Sequence, residues 1–123
     1  MKRLIIIALL IATGCTSSAP ATSAVVTLTE FAIGTSAAAL VPGSVDLTVE
    51  NAGEFGHTLV VTNELGEVVA ATQLIGPGDS TTLSVDLDTG RFEFTCRIVF
   101  ESSDGALVDH FEEGMRTDVT VGS

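Results

Sequence analysis

Several stretches of this chain alternate apolar and polar residues without a break, and that period of two decides what it can fold into. In "SVDLTVEN" (44–51) the apolar positions are Val45, Leu47 and Val49; in "STTLSVDL" (80–87) they are Leu83, Val85 and Leu87. Successive side chains of an extended strand point to opposite faces, so such a stretch has one face to bury and one to wet. "RFEFTC" (91–96) repeats the pattern, with Phe92, Phe94 and Cys96 in phase. "AVVTLTEFAI" (24–33), "HTLVVT" (57–62), "EVVAATQLI" (67–75) and "TDVTVG" (117–122) are further strand candidates. The turn-forming runs "VPGS", "NAGEFG", "NELGE", "GPGD", "DTGR" and "SSDG" separate them. Short strands divided in this way predict an all-β sandwich. Only "TSAAALVP" (35–42) is expected as a short helix or irregular loop. At 123 residues and 46% apolar content, the chain suits one domain with a modest core.

The N-terminus is of a different kind. "MKRLIIIALLIATGC" sets Lys2 and Arg3 before an apolar run over 4–12, followed by Thr13, Gly14 and Cys15. A basic start, a short apolar run and small residues before a cut describe an export signal. The run is far short of the ~20 residues that a membrane-spanning helix needs. With Cys15 directly after Gly14, the segment resembles a bacterial lipoprotein box. That resemblance implies removal of residues 1–14 and a lipid on the Cys15 thiol. The protein would then sit at the outer face of a bacterial membrane, on its periplasmic or cell-surface side. An ordinary secretory cut nearby, leaving a free thiol, is the plainer alternative. The small polar stretch "TSSAPATSA" reads as a flexible tether. Residues 15–24 thus form a lipidated, flexible lead, and 25–123 the folded domain.

Formal charge is −11, and loss of Lys2 and Arg3 would leave −13. Such a surface repels nucleic acid and anionic headgroups, so the membrane is met only through the anchor. It attracts a basic protein partner, although solubility alone would also account for the acidity. Export places the cysteines where disulfides form. If Cys15 carries lipid, Cys96 has no partner. A lone thiol there is a liability unless buried or coordinated.

Beyond the signal segment the chain holds two histidines (His57, His110), one methionine (Met115) and, besides Cys15, one cysteine (Cys96). Two His, one Cys and one Met are the donor set of a blue-copper electron-transfer site, with a His₂Cys plane and a weak axial thioether. His57 opens a strand after a glycine-containing turn. Cys96 ends a strand, and His110 and Met115 precede the last one. In a sandwich all four would fall at one end. Taken singly, each has a blander reading: a buried strand Cys, a core-filling Met, a capping His57, and a His110 paired with a neighbouring carboxylate. Glu112 and Glu113 read as a solvated face. No Ser-His-Asp arrangement, phosphate-binding glycine motif or closed zinc set competes. Nothing marks a substrate pocket, so the sequence does not read as that of an enzyme.

At these residues the chain resembles the cupredoxins, the plastocyanin- and azurin-like blue copper proteins. "VENAGEFGHTLVV" resembles their strand, Asn-containing turn and first His ligand. "GRFEFTCRI" resembles the aromatic strand that ends in the Cys ligand, "HFEEGMRTDVTV" their His-x₄-Met and last strand, and "TEFAI" their first strand. The resemblance covers roughly residues 25–122 and implies a Greek-key β-sandwich with one copper ion cycling between Cu(II) and Cu(I). It implies His57 and His110 as imidazole ligands, Cys96 as thiolate, Met115 as axial thioether, and the Gly56 carbonyl close to the metal. The implied function is a monomeric carrier of single electrons. It would serve a redox protein partner through a ligand edge near the surface. An extracytoplasmic copper-handling protein and a metal-free interaction module stay open as alternatives.

Two departures stand out. Thr58 occupies a position where many cupredoxins have an Asn that braces the Cys loop. Thirteen residues separate Cys96 from His110, where the family has only a few. That gap reads as an inserted β-hairpin, "RIVFES" and "ALVDH" around Ser103-Asp104-Gly105, with Gly105 supplying the left-handed residue. The loop would pair Ser102 with Ala106, Phe100 with Val108, and Ile98 with His110. Cys96 becomes the diagonal neighbour of His110, at roughly 7–8 Å between backbones. A one-residue slip would turn His110 to the opposite face.

Overall fold

The computed structural model describes residues 20–122; the expected signal segment, Cys15 and residues 16–19 lie outside them. Among the described residues there are eleven strands and no helix. One sheet holds β1 (Ser23–Thr29), β2 (Ala32–Thr35), β4 (Gly43–Asn51) and β7 (Ser80–Leu87), in the order β2-β1-β4-β7. The other holds β3 (Ala39–Leu40), β5 (Val60–Thr62), β6 (Val68–Ala71), β8 (Gly90–Thr95) and β11 (Arg116–Val121), in the order β3-β11-β8-β5-β6. β1 runs parallel to β4 and β11 parallel to β3; the other neighbours are antiparallel.

Alternation sets the core. Val45, Leu47 and Val49 of β4, with Val26 and Leu28 of β1, are buried on one sheet. Val61, Phe92, Phe94, Val119 and Val121 are buried on the other. Complete burial of one such side chain contributes about 1.5–3 kcal/mol. The residues between them face outward, as a strand with one wet face requires.

The structure departs from the sequence expectation in several places. Residues 24–33 form not one strand but two, β1 and β2, folded back on each other around Glu30 and Phe31. The inward phase of β1 (24, 26, 28) arrives next at Glu30, and a longer strand would drive its carboxylate into the core. The fold also begins ahead of residue 25. Ala21 bridges to Leu40, Ser23 pairs with Asp46, and Ala24 is buried. Of the two forms expected for residues 35–42 the irregular one is found, except that Thr35 ends β2 and the two-residue strand β3 follows a bend. Of 57–62, only Val60–Thr62 is a strand, with His57 held in an isolated bridge to Ile75.

Between Cys96 and His110 the chain forms a hairpin of β9 (Val99–Glu101) and β10 (Leu107–Asp109), outside both large sheets. Phe100 pairs with Val108. Ser102 N–H donates to the Ala106 carbonyl at 2.8 Å and His110 N–H to the Ile98 carbonyl at 2.9 Å. Gly105 has a φ of 85°, the left-handed conformation of the loop. This is the register read from the sequence.

Candidate metal centre

Three backbone segments bring the donors together. The segment after β4 is wound around the Asn51 side chain. Its amide nitrogen donates to the carbonyls of Phe55 (2.7 Å) and Ile75 (2.8 Å), and its oxygen accepts from Gly53 N–H (2.9 Å). His57 then exchanges both backbone hydrogen bonds with Ile75, at 3.1 and 2.8 Å. Cys96 follows directly on β8, and its N–H donates to the Met115 carbonyl at 3.1 Å. Met115 N–H donates in turn to the His110 carbonyl at 3.0 Å, so the backbone ties Cys96, Met115 and His110 into one knot.

His57, Cys96 and His110 are completely buried, and their donor atoms lie within 4.8 Å of one another. His57 Nδ1 is 3.2 Å from His110 Nδ1; Cys96 Sγ is 3.5 Å from His110 Nδ1 and 3.9 Å from His57 Nδ1. An ion bound at about 2.0–2.1 Å to nitrogen and about 2.3 Å to sulfur, in the plane of its donors, would space them roughly 3.5–3.8 Å apart. The triangle therefore fits a single metal ion, and two imidazoles with a thiol suit a borderline-to-soft one. Met115 is also completely buried and adjoins the triangle through its backbone. Gly56 precedes His57 under the Leu74 side chain; a Cβ there would come within 2.9 Å of Leu74 Cδ1. Thr58 Oγ1 stands 3.9 Å from Cys96 Sγ, a long contact.

Burial, and next to it the neighbouring His57 ring, push the His110 imidazole below its ordinary pKa; Glu30 and Asp109 oppose this more weakly. The neutral form is the one that binds metal. His110 Nε2 has no hydrogen-bond partner and is closed in by aromatic rings. Phe31 meets the His110 ring edge-on at 5.2 Å between centroids, and Phe100 does so at 5.4 Å. Phe55 lies against Phe100 at 5.2 Å. Neither imidazole is itself exposed, and Phe55, at 46% exposure, is the outermost ring of the stack. A shallow depression of about 340 Å³ opens over this place, lined by Phe55, Gly56, Leu74, Ile98, Phe100 and His110.

Sequence reasoning missed Glu30. It sits in the turn between β1 and β2, and its Oε1 accepts from His57 Nε2 (3.0 Å), Glu54 N–H (2.9 Å) and Phe55 N–H (2.9 Å). Burial alone would raise this carboxyl, but the hydrogen bonds from Phe55, His57 and Glu54 outweigh it and hold it below the usual range. The one signal in the sequence was a charge arriving on the inward phase of an otherwise apolar strand.

No protein-family model matches this sequence, and no curated protein matches it. Solved structures do resemble it. Reduced auracyanin from the photosynthetic bacterium Roseiflexus castenholzii is similar over 85% of this chain and 100% of its own, with a TM-score of 0.62 at 18% identity. Rusticyanin from Thiobacillus ferrooxidans is similar over 83% of this chain and 79% of its own, with a TM-score of 0.59 at 18% identity. A purple cupredoxin from Nitrosopumilus maritimus is similar over 80% and 99%, with a TM-score of 0.51 at 17% identity. The likeness establishes the fold, that of the cupredoxins.

Proposed function

We propose that this chain is a type 1 blue copper protein that carries single electrons outside the cytoplasm. The observation that carries the reading is the convergence of His57 Nδ1, His110 Nδ1 and Cys96 Sγ in a fully buried triangle on a cupredoxin fold. Among the similar structures, rusticyanin is a copper protein, and both auracyanin and rusticyanin have been described in reduced form. Copper would supply a reversible one-electron change. The two imidazoles and the Cys96 thiolate would hold the ion, with the Met115 thioether as a weaker donor and the Gly56 carbonyl as a further candidate neighbour. The knot of hydrogen bonds among Cys96, Met115 and His110 keeps the donors in place in both oxidation states, which lowers the rearrangement that transfer demands. On this reading the protein is a monomeric carrier and not an enzyme.

The hairpin of β9 and β10 reads as an insertion between the Cys and second His ligands. It returns His110 to the Cys96 side and stands beside the metal end, where it would shape docking of a redox partner. A chain this acidic favours a partner with a basic docking surface. The signal segment and Cys15 support export with a lipid anchor on the outer face of a bacterial membrane.

A copper-handling protein would use the same three donors, but it must release its ion, whereas a carrier must keep it. Copper analysis with voltammetry separates the two. One copper per chain, retained through repeated reduction and reoxidation, is expected. Copper lost on reduction would favour handling, and no copper bound would leave a metal-free module.

A further inference from the structure

We propose that Glu30 is a positioning residue of the metal centre: it fixes which nitrogen of His57 faces the other donors, and its charge favours the oxidised ion. The first half stands on the geometry alone; the second rests on the copper reading above.

An ionised carboxylate only accepts hydrogen bonds, so the ring nitrogen it touches must carry the hydrogen. His57 Nε2 lies 3.0 Å from Glu30 Oε1. In the neutral ring this leaves the lone pair on Nδ1, aimed at His110 Nδ1 and Cys96 Sγ. The 3.2 Å contact between the two Nδ1 atoms then takes its hydrogen from His110. The remaining nitrogen of that ring, Nε2, has no partner. The two imidazoles are therefore unequal before any metal arrives. His57 is already set as a ligand; His110 is not.

The loop before His57 is built around the same carboxylate. Glu54 and Phe55 donate their N–H groups to it. Gly53 has no left-handed φ that would call for glycine, yet a Cβ there would collide with both carboxylate oxygens of Glu30. A side chain at 53 would therefore have to displace the Glu30 carboxylate. Glu30 reaches His57 from a different turn, 27 residues earlier in the chain, so the contact is not a by-product of local chain geometry. A negative charge on the far side of a ligand ring stabilises the more positive ion and lowers its reduction potential.

The test uses the whole protein, with Glu30→Gln, Glu30→Ala and Gly53→Ala. Gln keeps an oxygen acceptor without the charge; Ala removes both; Gly53→Ala displaces the carboxylate without deleting it, which covers the case that Glu30→Ala does not fold. Long-range ¹⁵N–¹H correlation on the metal-free protein reads the tautomers. Wild type should show His57 with hydrogen on Nε2 and His110 with hydrogen on Nδ1. Glu30→Ala and Gly53→Ala should lose the His57 preference, and Glu30→Ala should weaken copper binding by about 10- to 100-fold. Glu30→Gln should restore the tautomer and most of the affinity while its reduction potential shifts upward. Hydrogen on His57 Nδ1 in wild type, or an unchanged tautomer in both alanine variants, would overturn the first half. A Glu30→Gln potential that is unchanged or lower would overturn the second. If wild type binds no copper, the copper reading falls, and with it the second half; the tautomer measurement still decides the first.

Discussion

Met115 is tied to the site through its backbone, and its buried thioether is the proposed fourth donor. Its N–H and carbonyl join His110 to Cys96, and no side-chain change removes those bonds. Its thioether is the only methionine sulfur beyond the signal segment. Met115→Leu nearly conserves volume and should cost less than about 1.5 kcal/mol of stability. It should keep copper and colour while raising the reduction potential, since an axial donor tunes the ion rather than holding it. Loss of all copper, by metal analysis, would show that the thioether does more. The residue scale is also where sequence served best and worst. His57, Cys96 and His110, which the fold brings together, were legible because their donor types are scarce in this chain. Glu30 was not, because it is one of 16 acidic residues and only the folded turn between β1 and β2 selects it.

Among the elements, the segment from β4 to His57 depends most on one side chain. Asn51 is buried, and its amide satisfies two carbonyls and one N–H of its surroundings. Asn51→Ala would leave the buried Ile75 carbonyl without its partner and loosen the 51–55 turn, and should destabilise the fold by about 1–3 kcal/mol, read as a lower denaturant midpoint. The Gly105 hairpin was legible in detail because its loop residues and strand alternation are local signals. β4, β7, β8 and β11 were legible for the same reason. The reversal at Glu30 and Phe31 was not, because no glycine, proline or asparagine marks it. The capping of His110 by Phe31 and Phe100 was hidden too. It depends on a turn and a hairpin strand far apart in the sequence meeting at one end of the sandwich.

At the scale of the molecule, charge is unevenly placed. Beyond Lys2 and Arg3 the cations are Arg91, Arg97 and Arg116. Arg97 and Arg116 both lie over the ring of Phe111, at 3.8 and 5.1 Å, beside the segments that carry Cys96 and Met115. Lipidation at Cys15 would hold this acidic domain near a membrane that its own surface avoids. One acyl chain binds only marginally, so several are needed for stable attachment. The protein is expected in the membrane fraction, and Cys15→Ala should move it to the soluble fraction. An unmodified N-terminus, seen by mass spectrometry, would contradict the anchor. The most direct measurement of all is a visible spectrum of the purified protein taken during addition of one equivalent of Cu(II). A copper–thiolate bond to Cys96 should give an intense visible band that saturates at one ion per chain and is missing in Cys96→Ser. A wild-type protein that stays colourless and binds no copper would contradict the electron-carrier reading.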